Sequence, residues 1–222
     1  ARLGAPEGAL VLADVQASGR GRQGRSWVSP AGNLHVSVLF RPGTAAAPLL
    51  PLAAGVAVAE GLAPFGVRAR LKWPNDVMVD ERKLGGILAE SSTTGAALEW
   101  VVVGLGLNVR GELPPELRAQ AISLRDAGAT IMDVDAVAAS VLGRLAVWYH
   151  RLAEGGPSPV VSAWRERAVP WWGGRVVALS EEGRVEGRAI DVDEAGGLVL
   201  EMDDGTRKIL RSGEVSRARA AG

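Results

Sequence analysis

Cysteine is absent from the sequence, which excludes disulfides, a thiolate nucleophile and thiolate metal sites. The absence suits a reducing compartment, and the cytoplasm is the expected location. Histidine is almost absent as well. His35 and His150 are the only imidazoles, and neither has a second histidine at helical ligand spacing, so catalytic zinc is not expected. There is no long hydrophobic run. The longest apolar stretch, residues 45–59, contains Pro48 and Pro51 and falls short of the roughly 20 residues that span a bilayer. It reads as a buried helix, and no membrane partner is expected. No basic stretch followed by an apolar one opens the chain, so no signal peptide is expected.

Acidic residues are missing from one region only. Between Val15 and Ala59 there is no Asp or Glu, while Arg20, Arg22, Arg25 and Arg41 fall inside. Over the whole chain of 222 residues, 25 basic and 25 acidic side chains balance, so the overall field gives no reason to expect a nucleic acid or a membrane surface as partner. A confined anion site fits the local imbalance better than a charged surface does. With 47% hydrophobic and 23% charged residues, the chain is that of a globular protein with room for one large domain and one small one.

Hydrophobic periodicity sketches the fold. Residues 9–14 form a short apolar run ending at an acid, as expected of a buried strand leaving the core. After a long polar loop, residues 34–40 alternate with a period of two, which places His35 on the face away from the core, as a structural or solvated residue. Residues 48–62 are small and apolar nearly all round, a helix packed on a sheet and ended by Gly66. Short β-rich runs at 67–71, 77–79, 86–91 and 98–103, separated by turn residues, predict a mostly antiparallel sheet. Apolar positions at threes and fours mark an amphipathic helix over 133–152, with Trp148 in the core, and a second over 160–167. From Gly173 onward, four short alternating runs are separated by Glu-Glu-Gly, Glu-Ala-Gly-Gly and Asp-Asp-Gly. The expected architecture is α+β: a mixed, largely antiparallel sheet with helices on one face over residues 1–172, then a small β-barrel over 173–222. Trp171 and Trp172, at the junction, are expected to pack between the two.

Gly19-Arg20-Gly21-Arg22-Gln23-Gly24 satisfies the glycine spacing of a dinucleotide loop, but Arg25-Ser26-Trp27-Val28-Ser29-Pro30 is a poor helix start. The acid that would hold a ribose about twenty positions on is also missing, so that reading fails. What remains is a loop whose glycines let backbone N–H groups approach an anion, interleaved with three guanidiniums that fork onto phosphate or carboxylate oxygens. Lys72-Trp73-Pro74-Asn75-Asp76 is a turn by its residue types. Its Asn can read an adenine edge, and its Asp can hold Mg²⁺ or orient an amine. Lys83-Leu84-Gly85-Gly86-Ile87-Leu88 and Gly104-Leu105-Gly106-Leu107-Asn108 each place glycines beside a buried strand, where the backbone leaves space for a ligand.

In order and spacing these segments resemble the biotin protein ligases, whose signatures are a GRGRxGR-W loop, a KWPND turn, a KLxGIL strand and a G-x-N segment. The resemblance covers most of the chain. It implies a class II synthetase-like catalytic domain with an SH3-like C-terminal barrel, and ATP-dependent biotinylation of a carrier-protein lysine through biotinyl-5'-AMP. By similarity, Gln16, Gly19, Arg20, Gly21, Arg22, Lys83, Gly86 and Gly104 would hold biotin. Arg22, Arg25, Trp27, Asn75 and Asn108 would hold ATP, with Trp27 stacked on adenine. Lys83, Arg22 and Asp76 would be catalytic, and Asp76 would be the candidate ligand for Mg²⁺. The implied partner is the biotin carboxyl carrier protein of a biotin-dependent carboxylase, with a homodimer left open. A Ser-Thr-Asn segment that the family carries upstream does not precede Gln16, so the sequence as written is expected to bind biotin weakly or to be inactive. The family's DNA-binding helix-turn-helix is not seen either, and no DNA partner is expected. Competing readings are a lipoate-type protein ligase, a nucleic-acid-binding module built on the Arg-Gly loop, and an inactive carrier-binding scaffold.

Overall fold

Leu34, Val36 and Val38 alternate inward along one strand, and that strand anchors a six-stranded sheet. The computed structural model describes residues 1–130, 132–180 and 183–218. The expected Glu181-Glu182 turn and residues 219–222 of the expected barrel therefore lie outside the described residues. The first strands are β1 (Leu10–Ala13), a short hairpin of β2 (Gly19–Arg20) and β3 (Ser26–Trp27), and β4 (Leu34–Phe40). Helix α1 (Leu50–Leu62) follows, then β5 (Arg70–Lys72), β6 (Asp76–Val79), β7 (Arg82–Thr94) and β8 (Ala97–Leu107). The main sheet has the order β1-β4-β8-β7-β6-β5, and each neighbouring pair runs antiparallel.

The expected strands over 86–91 and 98–103 are too short. Both continue through their glycines, so that Gly85, Gly104 and Gly106 lie inside β7 and β8 instead of beyond their ends, and Gly86 is interior instead of terminal. Glycine weakens a strand but does not end one while the ladder on either side continues. The strand expected over 67–71 is displaced to Arg70–Lys72, and the one expected to be buried at 9–14 is the edge strand β1, whose Leu10, Val11 and Leu12 are exposed.

One face of this sheet is covered by helices. Helix α1 is buried nearly all round, as its composition predicts. Helix α2 (Val134–Gly155) starts at Asp133, whose carboxylate accepts a hydrogen bond from the Ala136 N–H, a cap that contributes about 1 kcal/mol. Val137, Val141, Leu145, Trp148 and Leu152 form its buried stripe. The two helices touch at the backbone: a Cβ on Gly61 would lie 2.8 Å from the Val141 Cα. Helix α3 (Pro157–Glu166) completes the layer. Among the described residues one helical stretch, Ala47–Phe65, is long and apolar enough by composition to cross a membrane, and it is mostly buried in this core.

The C-terminal part is a five-stranded antiparallel sheet of β9 (Arg175–Ser180), β10 (Gly183–Val192), β11 (Leu198–Glu201), β12 (Arg207–Leu210) and β13 (Glu214–Arg217), in the order β12-β11-β10-β9-β13. Four runs were expected there, and β13 is the fifth. Its inner residues, among them Val176, Ala189, Leu200 and Val215, are buried. It docks through the Trp73 indole, which is fully buried and donates to the Gly196 carbonyl at 2.9 Å. Arg165 grips Asp191 at 2.5 and 2.9 Å. Trp172 packs edge-on against Trp164 with ring centroids 4.9 Å apart, as expected for a junction residue.

Candidate active site

The face of the main sheet opposite the helices carries the chemistry. Strand register aligns His35, Gly106, Gly86 and Asp76 in one row across β4, β8, β7 and β6, with Lys72 of β5 opposite Asp76. Ser37 and Gly104 form the next row. The two central strands therefore present glycine where side chains would otherwise stand, and a flat floor results.

Lys83 reaches this floor through a bulge. Strict alternation places residues 83 and 86 on opposite faces. Between Val77 and Met78 of β6, however, the register with β7 slips, with Gly85 opposite Val77 and Lys83 opposite Met78. The extra residue, Leu84, is wholly buried. Such an insertion re-aims the neighbouring side chain, and a Cβ on Gly86 would stand 3.5 Å from the Lys83 ammonium. The Lys83 backbone is braced from outside: its N–H donates to the Gln120 carbonyl at 2.8 Å, and its carbonyl accepts from the Ile122 N–H at 3.0 Å.

Asp76 lies between two ammonium groups, Lys83 at 2.5 Å on one oxygen and Lys72 at 2.9 Å on the other. Burial raises the pKa of this carboxyl, but the two lysines outweigh burial and hold it below the usual carboxylate value. Both oxygens are engaged, and among the described residues no three His, Cys, Asp or Glu side chains cluster as a metal site. The expected role of Asp76 as a magnesium ligand does not fit this arrangement. What fits is a carboxylate that positions two lysines.

The loop of residues 19–29 closes over the floor. A cavity of about 210 Å³ is bounded below by Gly86, Gly104 and Gly106, and above by Arg20, Gly21 and Arg22. Gln16, Ser37 and Lys83 line it as well. Arg22 and Lys83 thus share one cavity. The Arg22 guanidinium is half-buried; burial lowers its pKa, and the Glu214 and Asp76 carboxylates oppose that effect. It donates to the Asn75 side-chain oxygen at 3.5 Å and to the Gly213 carbonyl at 3.3 Å. Gln16 accepts from the Ser29 hydroxyl at 2.8 Å, which ties the two ends of the loop. Gly19 does not line the cavity. It lies opposite Trp27 in the hairpin, where a Cβ would come within 2.3 Å of the Trp27 carbonyl oxygen, so its place is in closing the loop. Arg20 pairs with Glu90, which lines the same cavity, at 2.9 Å.

Trp27 lies across the glycine floor. A Cβ on Gly106 would be 2.7 Å from its ring, and the Lys83 ammonium is 5.5 Å from the ring centroid, within cation–π range. Trp27, Lys83, Asp76 and Asn75 also border a second cavity of about 730 Å³, which adds Lys72, Asn108 and Gln120. Of the residues expected at a nucleotide, Asn75 and Asn108 both spend their amide groups internally. Asn75 donates to the Ile87 carbonyl at 2.7 Å and Asn108 to the Ile122 carbonyl at 3.2 Å. His35 was expected on this face and lies there, but at 2% exposure it is buried beneath the loop, not solvated.

Sequence reasoning missed Ser37, Lys72 and Glu214. Ser37 was within reach, since the alternation that placed His35 places Ser37 on the same face. Glu214 carried no local signal.

Helices thus lie behind one face of an antiparallel sheet, and cations gather over a glycine floor on the other. Two family models match the chain: the Biotin/lipoate A/B protein ligase family over residues 3–108 and the Biotin protein ligase C terminal domain over residues 173–217. The chain is 34% identical to the biotin–(acetyl-CoA-carboxylase) ligase of Paracoccus denitrificans, over 93% of this chain and 89% of that one. It is also 34% identical to the bifunctional ligase/repressor BirA of Bacillus subtilis, over 92% of this chain and 65% of that one. It therefore spans about two thirds of the length of the bifunctional relatives. The biotin protein ligase from Aquifex aeolicus in complex with biotin and ATP superposes with a TM-score of 0.81 at 30% identity, covering 96% of this chain and 89% of that one. The chain belongs to the biotin protein ligase family.

Proposed function

We propose that this protein joins biotin to a lysine of a carrier protein at the expense of ATP, through biotinyl-5'-AMP, releasing pyrophosphate and then AMP. The observation that carries the reading is that Arg22 and Lys83 border one cavity over a floor of glycines. A biotin carboxylate must attack an α-phosphate, and two anions approach only if cations lie between them. Arg22 and Lys83 supply fixed positive charge where negative charge accumulates in the transition state. No general base is required, because the attacking oxygen is already ionised. The larger cavity beyond Trp27, bordered by Lys72, accommodates the nucleotide, with the indole as the stacking surface for adenine.

In the second step the neutral amine of the carrier lysine attacks the acyl carbon, the bond to the phosphate oxygen breaks, and AMP leaves while the nitrogen sheds a proton. Water competes for the same anhydride, so the loop of residues 19–29 must stay closed until the amine arrives. Mg²⁺, when bound with ATP, would neutralise phosphate charge, and Asp76, held by two lysines, offers it no free oxygen. The boundary between the catalytic and C-terminal units is placed at 172/173, supported by the start of the second family match at residue 173. The carrier would be the biotin carboxyl carrier protein of a biotin-dependent carboxylase, and the site of action the cytoplasm, as the lack of cysteine suggests.

ATP–pyrophosphate exchange tests this reading. Exchange that requires biotin, with transfer of label from biotin to a carrier lysine, is the expected result. The first family model spans lipoate enzymes as well, so exchange driven by lipoate and not by biotin would move the assignment to a lipoate-type protein ligase.

A further inference from the structure

Two buried polar groups near the floor have no hydrogen-bond partner. The Trp27 indole N–H is one, and the His35 imidazole, with neither ring nitrogen completing a bond, is the other. Buried polar groups are almost always paired, and leaving one unpaired is costly. One of these groups can only donate, while a neutral imidazole can accept at one nitrogen.

Register places them beside each other. His35 of β4 is opposite Gly106 of β8, and Gly106 is opposite Gly86 of β7. The indole lies along that row in a definite direction. Its Nε1 and Cε2 are the atoms a Cβ on Gly106 would meet, both at 2.7 Å, while its Cζ3 is 3.6 Å from the Cβ position of Gly86. The N–H end is therefore on the His35 side of the row and the benzo end on the Lys83 side. Positions directly opposite in an antiparallel pair are about 5 Å apart, the distance a ring side chain spans. Burial keeps the His35 ring towards its neutral form, against the Pro30 carbonyl, which favours the charged one. That carbonyl is also the natural partner for the protonated nitrogen, which directs the remaining lone pair elsewhere.

We infer that His35 is a positioning residue that accepts the Trp27 indole N–H and fixes the ring over Gly106 and Gly86 as the platform for the nucleotide base. This rests on the ligase reading for the identity of the base. The pairing itself concerns only this chain. Without the acceptor, the indole can rotate off the floor, and ATP then has to order it on binding. Affinity for ATP weakens while the biotin contacts at Gln16 and Arg22 are untouched.

The test uses the ¹⁵N-labelled full chain, with Trp27 assigned through Trp27→Phe. In His35→Phe the Trp27 indole signal is expected to shift and to exchange with solvent at least about fivefold faster. KM for ATP should rise about five- to tenfold, the size of one lost hydrogen bond. KM for biotin and kcat should stay within about twofold of the parent, and His35→Gln, which keeps an acceptor, should restore the KM for ATP. An unmoved Trp27 signal in His35→Phe, or a KM for biotin that rises with that for ATP, overturns the inference. Should His35→Phe not fold, Trp27→Phe reads the same bond from the other side: the His35 ring ¹⁵N shifts must change and those of His150 must not, and unchanged His35 shifts overturn it. Absence of biotin-dependent exchange in the parent protein would defeat the ligase reading and leave the indole measurement standing.

Discussion

Arg25 in the glycine-arginine loop and Glu214 on the last strand form a two-point ion pair across 189 positions of sequence, with one contact at 2.8 Å. The C-terminal sheet thus holds the loop that covers the site. Both side chains are exposed, 61% and 42%, so the pair contributes at most about 1 kcal/mol to stability. Glu214→Gln should leave the melting temperature nearly unchanged and increase the rate of proteolytic cleavage between residues 19 and 27 in the empty protein. Biotin plus ATP should protect the loop in both proteins. Equal cleavage with and without ligands would count against loop closure.

Arg22 and Lys83 are proposed to act on charge that develops in the transition state. Arg22→Met and Lys83→Met should each reduce biotin-dependent pyrophosphate exchange by about 10²–10³-fold. Circular dichroism should match the parent for both variants, while Lys83→Met should also melt somewhat lower because it removes one of the two ammonium groups that offset the buried Asp76 carboxylate.

The carboxyl of Asp76 has a folded pKa below its ordinary value because Lys83 and Lys72 outweigh burial. Its contribution to stability is therefore fully present above the unfolded pKa of about 3.9, and is lost as pH falls through the lower, folded value. Asp76→Asn removes the charge and leaves two ammonium groups uncompensated, at a cost of about 1–3 kcal/mol. Urea melts should show that difference as constant between about pH 5 and pH 8 and shrinking below about pH 4. A gap that widens on acidification would contradict the clamp.

Gly106 and Gly104 make a matched pair of tests. Gly106→Ala places a methyl 2.7 Å from the Trp27 ring and must displace it, so exchange should fall and indole fluorescence should shift. At Gly104 the nearest atom to a new methyl is the Leu88 carbonyl oxygen at 3.6 Å, an ordinary contact. Gly104→Ala should fold within about 1 kcal/mol of the parent, raising KM for biotin because the methyl enters the smaller cavity. Identical kinetic profiles for the two variants would mean that the floor is not divided as described.

Much of the site was readable in the one-dimensional pattern. The acid-free stretch with its arginines marked the anion loop, and the period of two over residues 34–40 put His35 on the face away from the core. The glycines of β7 and β8 marked where backbone is exposed to a ligand, although they were read as strand ends. Asp76 was read as a candidate metal ligand, and the sequence, which spaces it four residues from Lys72 and seven from Lys83, did not show that both ammoniums converge on its two oxygens. Asn75 and Asn108 were read as nucleotide contacts; both border the second cavity, and the sequence did not show that each also donates an amide N–H to a neighbouring backbone carbonyl.

Composition and periodicity alone determined that this chain builds an antiparallel sheet with helices behind it, a small β unit after it, and a basic glycine loop. These features depend on preferences of adjacent residues, which any short window of sequence expresses. Only the tertiary structure decided that Lys83 shares a face with Gly86, because a bulge exists only relative to the strand it is paired with. The same holds for Glu214 at Arg25 and for the Trp27 indole over Gly106, since contacts between distant segments are set by how the elements pack and leave no local mark in the chain.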